Sequence, residues 1–236
     1  MNELILAASV VFIFGAVLLA YRFFGNTGLY AMTAVVTILA NIEVLILVNA
    51  FGMEQTLGNI LFAATFLITD ILSENAGKKA ANRAVLVGIF SSVFFMLLTA
   101  SWMLYIPSDS DWAMPSIREI FSTTPRLVFA SMAVYAISQF FDVWLYHKWW
   151  EFTERRSGSR RRFLWLRNNG STLISQLVNT VLFNIAAFAG MEGYDGKLLL
   201  SIIAAGYLIY VFTSLLDTPA VYIARRIHEK HHGKAQ

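Results

Sequence analysis

The 236-residue chain contains no cysteine. That absence excludes a disulfide framework, a thiolate zinc site and thiol chemistry, and it leaves the redox compartment unmarked. Charge is scarce as well. Asp, Glu, Lys and Arg supply 14% of the residues and hydrophobic types 57%, where ordinary globular chains carry about 25% and about 45–50%. Also missing are a Gly-rich phosphate-cradling loop, a His-Glu-x-x-His zinc helix and a Gly-x-Ser-x-Gly nucleophile. The sequence therefore shows no catalytic or metal constellation and no means of hydrolysing ATP by itself. It reads as a non-enzyme without a cofactor.

Apolar length is what the chain has in excess. Mean hydropathy is +0.60, and so short a chain cannot hide that much apolar surface in one aqueous core. Lipid is the expected solvent. A hydrocarbon core about 30 Å thick needs roughly 20 mostly apolar helical residues. Seven stretches qualify: residues 4–21, 28–50, 56–71, 84–106, 125–146, 171–190 and 197–223. The fold class expected is an all-α integral membrane protein with about seven transmembrane helices. The first stretch has neither a basic leader nor a small-residue cleavage site, so it reads as a retained span. The third is short and invites extension by a more polar turn.

Charge placement sets the expected orientation. With the N-terminus outside, the inner segments collect Arg22, Lys78, Lys79, Arg83, the seven basic residues between 148 and 167, and the four from Arg225 to the C-terminus. That is fifteen of the eighteen Lys and Arg, with Arg118, Arg126 and Lys197 left outside. The bias follows the positive-inside rule and predicts N-out, C-in. The net charge of +3 then reports topology, and no direct nucleic-acid partner is expected. Residues 148–170 read as a solvated cytoplasmic loop. Residues 107–124 have room for a short interfacial helix or a cavity cover.

Ionisable residues in a span are costly and normally face a partner or a cavity. Glu43, Asp70, Asp142 and Asp217 lie within or at the ends of apolar runs, and no basic residue lies deep enough to neutralise them. Asp70, Asp142 and Asp217 each stand six to eight residues before a basic residue on spans of one direction. At about 1.5 Å per residue they fall at similar depth. Three carboxylates at one depth look like the wall of a polar cavity, with helix-to-helix hydrogen bonding as the alternative. Ser138, Gln139 and Asp142 share a helical face, and Phe140, Phe141 and Trp144 flank it. Thr172, Gln176 and Asn179 form a second stripe that ends at Phe183, with Asn184 alongside. Amides both donate and accept, which suits a heterocycle edge. Asn41, Glu43 and Asn59 are further candidates. His228, His231 and His232 read as a hydrated tail, with no metal site.

Three segments then carry a specific resemblance. Residues 67–74 (Leu-Ile-Thr-Asp-Ile-Leu-Ser-Glu) with Gly77-Lys78-Lys79-Ala80, residues 138–144 (Ser-Gln-Phe-Phe-Asp-Val-Trp), and residues 165–172 running into Ser175-Gln176-Leu177-Val178-Asn179-Thr180 resemble the three ordered signatures of the queuosine precursor transporter family. The resemblance covers about residues 28–227. It implies a six-helix core like the substrate-binding subunits of energy-coupling-factor transporters, with residues 1–27 an added N-terminal helix and loop and 228–236 a cytoplasmic tail. It implies import of a 7-deazaguanine (the 7-cyano or 7-aminomethyl form, or queuine) across the bacterial cytoplasmic membrane for queuosine in tRNA. The alternative is a binding subunit for a deazapurine or other planar ligand that needs an ATP-driven partner; an energising partner and a homo-oligomer are both left open. On this reading Asp142 takes the donor edge of the ligand and Gln139, Gln176 and Asn179 the rest, with Asn41, Glu43 and Asp70 as further substrate-binding residues. Glu74, Arg167, Asn168 and Asp217 serve as gate or structural partners.

Overall fold

The computed structural model of the protein describes residues 1–121, 125–159, 162–190, 193 and 195–232, without the side chains at 54, 125–128, 231 and 232. The elements are α1 (Asn2–Glu43), β1 (Leu47–Ala50), β2 (Met53–Thr56), α2 (Gly58–Ala76), α3 (Lys78–Trp102), α4 (Met114–Phe121), α5 (Pro125–Ser157), α6 (Leu164–Phe188) and α7 (Gly196–His232). Among the described residues four helices, α1, α3, α6 and α7, are long and apolar enough to cross a bilayer on length and composition.

α1 is two helices that double back. Gly25 is non-helical at φ 58°, ψ −143°, a conformation that only glycine adopts without strain. The reversal is visible at the far ends: the Asn2 side chain donates to the Asn49 carbonyl (2.8 Å), and Glu3 accepts from the Phe51 amide (3.1 Å). Residues 2–24 therefore run the height of the molecule and residues 26–43 return beside them, about 35 and 27 Å at helical rise. Gly28 sits in the crook of the turn, where a Cβ would fall 2.9 Å from that of Phe24.

The second expected span ends sooner than hydropathy suggests. Residues 47–56 form an antiparallel hairpin with Ala50 opposite Met53, turning through Phe51 and Gly52, both at positive φ. A two-residue turn of that kind matches the twist of the strands it joins. This hairpin is the non-helical addition to an otherwise helical fold. α2 then starts against Thr56, whose hydroxyl accepts from the Gly58 amide (3.1 Å). It gains the expected polar turn and stops at Gly77, φ 82°, which also opens α3. Fourteen of its nineteen residues are buried, so α2 is the inner staff of the bundle. α1, α3 and α7 pack round it, and α5 closes on α6.

Two further expectations need revision. Residues 148–157 are not a loop; they continue α5 beyond the apolar run. α6 starts at Leu164, so Arg167 and Asn168 lie inside a helix and are fully buried. Residues 107–124, read as a short interfacial helix or a cavity cover, do contain a short helix, α4. Of the basic run between 148 and 167, Arg160 and Arg161 lie outside the described residues.

Candidate functional site

α2, α5, α6 and α7 meet along one polar axis. It begins beneath the hairpin, at a cavity of about 550 Å³. Asn59, Asn179, Asn184, Gln55 and Tyr210 supply its polar wall, with Phe183 and Phe188 beside them. Tyr210 donates its hydroxyl to Asn59 Oδ1 (3.0 Å), which binds α7 to the start of α2. The stripe expected on α6 runs along this axis, and its end nearest the hairpin lines this cavity. Asn59, Asn184 and Tyr210 join it from three helices.

One to two turns below, the wall closes. Gln139 donates to Thr65 Oγ1 (2.5 Å) and accepts from Thr69 (3.3 Å), so α5 and α2 are bridged at a point sealed from solvent. Gln176 is buried at the same level with its carbonyl oxygen unpaired.

Below the two glutamines lie the three aspartates, all buried and within electrostatic range of one another. Asp70 Oδ2 accepts from Thr172 (3.0 Å), while Oδ1 has no donor. Asp217 Oδ1 accepts from Asn168 (2.6 Å). Asp142 takes no hydrogen bond on either oxygen. Ser171 and Ser175 stand beside it, but their hydroxyls donate backwards along α6, to the carbonyls of Asn168 (3.2 Å) and Ser171 (2.8 Å). Among the described ion pairs none involves these three acids. An unpaired buried carboxylate costs several kcal/mol, roughly, even after the protein relaxes. Asp142 is thus a group with unmet bonding capacity at the foot of a polar path.

The axis ends in a charged closure. Arg167 reaches from α6 to Glu74 of α2 with Nε (2.9 Å) and Nη2 (2.6 Å), while its Nη1 holds the Arg162 carbonyl. Tyr146 of α5 donates to the same carboxylate (2.8 Å), Arg225 of α7 approaches it at 3.5 Å, and the Arg167 guanidinium lies 4.4 Å over the Trp150 ring. Four helices are stapled at one carboxylate.

Not every expected residue joins the axis. Asn41 donates to Ser92 (3.3 Å) and lines a second, mostly apolar cavity of about 320 Å³ between α1, α3 and α5, which shares Val44 and Leu45 with the first. Glu43 stands half-buried at the end of α1. Phe140 and Trp144 turn outward, 37% and 45% exposed, so neither ring faces the aspartates. Tyr146, Tyr210 and Arg225 belong to the axis and were not foreseen, because a single aromatic or basic residue gives no periodic signal.

A family model described as "Putative vitamin uptake transporter" matches residues 56–224. A relative from Bacillus subtilis (strain 168), named "Probable queuosine precursor transporter", is 35% identical over 211 residues, 89% of each chain. The chain belongs to this transporter family. It is a multi-pass membrane protein and not an enzyme, and the resemblance read from the three signatures holds. The matched region begins at Thr56 and takes in α2 to α6 and α7 as far as Ala224, including the four helices that meet along the polar axis. No solved structure matches the chain.

Proposed function

We infer that this protein imports a queuosine precursor, a 7-deazaguanine, across the bacterial cytoplasmic membrane. The observation that carries the reading is Asp142: a fully buried carboxylate with both oxygens free of hydrogen bonds, on a polar axis that starts at a cavity large enough for a bicyclic base. A guanine-type edge presents adjacent N–H and NH2 donors, for which a carboxylate is a bidentate acceptor. The carbonyl and ring acceptors of the base need amide donors, and Gln139, Gln176 and Asn179 step down the axis from the cavity to the carboxylates. Asp70, held by Thr172, supports Asp142. Asn41 and Glu43 act as outer support, away from the base.

In this reading seven helices cross the membrane, N-out and C-in, with α1 counting twice. The hairpin and cavity then face outside, and the Glu74–Arg167 closure faces the cytoplasm with Asn168 and Asp217 behind it. The ligand enters under the hairpin. Release requires the closure to part while the mouth shuts. Residues 28–227 form the transporting core, residues 1–27 a brace on its flank, and residues 228–236 a tail that begins as the last turn of α7, with His228 held against Tyr21.

The test is import. Bacteria lacking queuosine synthesis and their own importer receive this chain and nanomolar labelled 7-cyano- or 7-aminomethyl-7-deazaguanine, and queuosine is measured in tRNA. Restored modification supports the reading and names the substrate. With membrane expression confirmed, no restoration by either precursor or by queuine counts against it. Binding by the purified chain without uptake in liposomes would point to an energising partner.

A further inference from the structure

The charges of the inner half do not balance. Arg167 spends its guanidinium on Glu74 and the Arg162 carbonyl, and Arg225 on Glu74 and Glu229. Glu74 is thus compensated, and among the described ion pairs none reaches Asp70, Asp142 or Asp217. The packed elements offer no remedy. α6 turns Ser171, Thr172, Ser175 and Gln176 toward this region, the buried residues of α1 beyond its turn are Gly28, Leu29, Thr33, Val36, Thr37 and Ala40, and the buried residues of α3 are likewise without charge. α5 adds the Tyr146 hydroxyl, already given to Glu74, and α7 adds Asp217 itself. Asp217 Oδ1 accepts from Asn168, whereas Asp70 Oδ1 and both Asp142 oxygens have no hydrogen-bond partner.

Two neighbouring carboxylates, sealed from solvent and without a cation, are the arrangement that electrostatics penalises most. One shared proton removes a charge and at the same time supplies the missing donor. We propose that Asp70 and Asp142 form a proton-binding site at the centre of the polar axis, and that its occupancy is coupled to passage of the substrate. The coupling follows from position: the donor edge of a base and a proton would compete for the same Asp142 oxygens, so substrate arrival displaces the proton and substrate departure readmits it. The coupling rests on the transport reading above; the proton site does not.

Infrared spectroscopy on the ligand-free chain in lipid reads the site directly. At neutral pH exposed Asp and Glu are ionised, so a protonated-carboxyl band that shifts in D2O reports a shielded acid. The expected result is such a band in the unmodified chain, its loss in Asp70→Asn/Asp142→Asn, and its retention in Asp217→Asn. No band in the unmodified chain, or a band surviving the double substitution, overturns the site; circular dichroism shows that the variants remain folded. Liposome uptake of labelled 7-aminomethyl-7-deazaguanine reads the coupling. A pH gradient should change the initial rate and a protonophore should abolish that change. Indifference to the gradient, or dependence on sodium alone, overturns the coupling. If the chain binds no deazapurine in detergent, the transport reading fails while the infrared result still stands.

Discussion

Glu74 and Arg167 stand ninety-three positions apart and form a two-pronged ion pair in which the arginine is 0% and the glutamate 4% exposed. Removing one partner of such a pair costs more than the pair itself contributes, because the other charge is left buried. Glu74→Gln should therefore lower stability by about 3–5 kcal/mol, read as a drop in thermal unfolding temperature in detergent. The double variant Glu74→Gln/Arg167→Gln should lose less than the sum of the two single variants. Additive losses would show that the two residues do not act as a pair.

Asp142→Asn keeps shape and removes charge. A hydrogen bond to a charged group is worth about 1.5–3 kcal/mol, so deazaguanine affinity should fall roughly ten- to a hundredfold. Equilibrium binding to the purified chain measures it. Unchanged affinity would take the donor edge away from Asp142.

Gly25→Val tests the reversal in α1. A branched residue at φ 58°, ψ −143° should cost about 1–3 kcal/mol and raise protease sensitivity near residue 25. Stability equal to the unmodified chain would mean that the two halves of α1 do not meet in that turn.

Gly88→Ala brings a methyl group onto the Tyr135 hydroxyl, with Cζ at 2.8 Å. Overpacking of this sort costs about 1–3 kcal/mol. Adding Tyr135→Leu, which removes the overlapping ring, should recover part of the loss in unfolding temperature; no recovery would place the strain elsewhere.

The absence of cysteine makes topology easy to read. Single cysteines at Ser110 and Lys230, both exposed, should react differently with a membrane-impermeant maleimide. Ser110→Cys should label in intact cells, and Lys230→Cys only after permeabilisation. The reverse pattern would invert the proposed orientation.

Much of the bundle could be read from residues alone, because apolar length and basic clusters are one-dimensional quantities. The depth shared by Asp70, Asp142 and Asp217 and the stripe through Thr172, Gln176 and Asn179 followed from helical rise and period. The misreadings came from signals that depend on a distant partner. Charge placement alone put Arg167 in a loop, and its gate or structural role came only from the family resemblance, since Glu74 lies far away in sequence. Leu47–Ala50 passed as helix because hydropathy does not distinguish a strand from a helix in a short apolar run; Gly52 was the one local mark of the turn. Phe140 and Trp144 neighbour the polar face in sequence, yet they point outward.

Residues 2–24 are anchored at both ends. Asn2 and Glu3 hold the hairpin over the cavity mouth, while Tyr21 meets His228 Nδ1 at 2.9 Å, on the inner reach of α7. This rod ties the rim of the mouth to the helix whose Arg225 faces Glu74. A helix transmits axial force with little give. Parting the inner closure by swinging the end of α7 therefore either breaks the Tyr21–His228 contact or pulls on the hairpin. Under the proposed transport cycle, the flanking helix is a tie-rod through which the two ends of the protein feel each other's position.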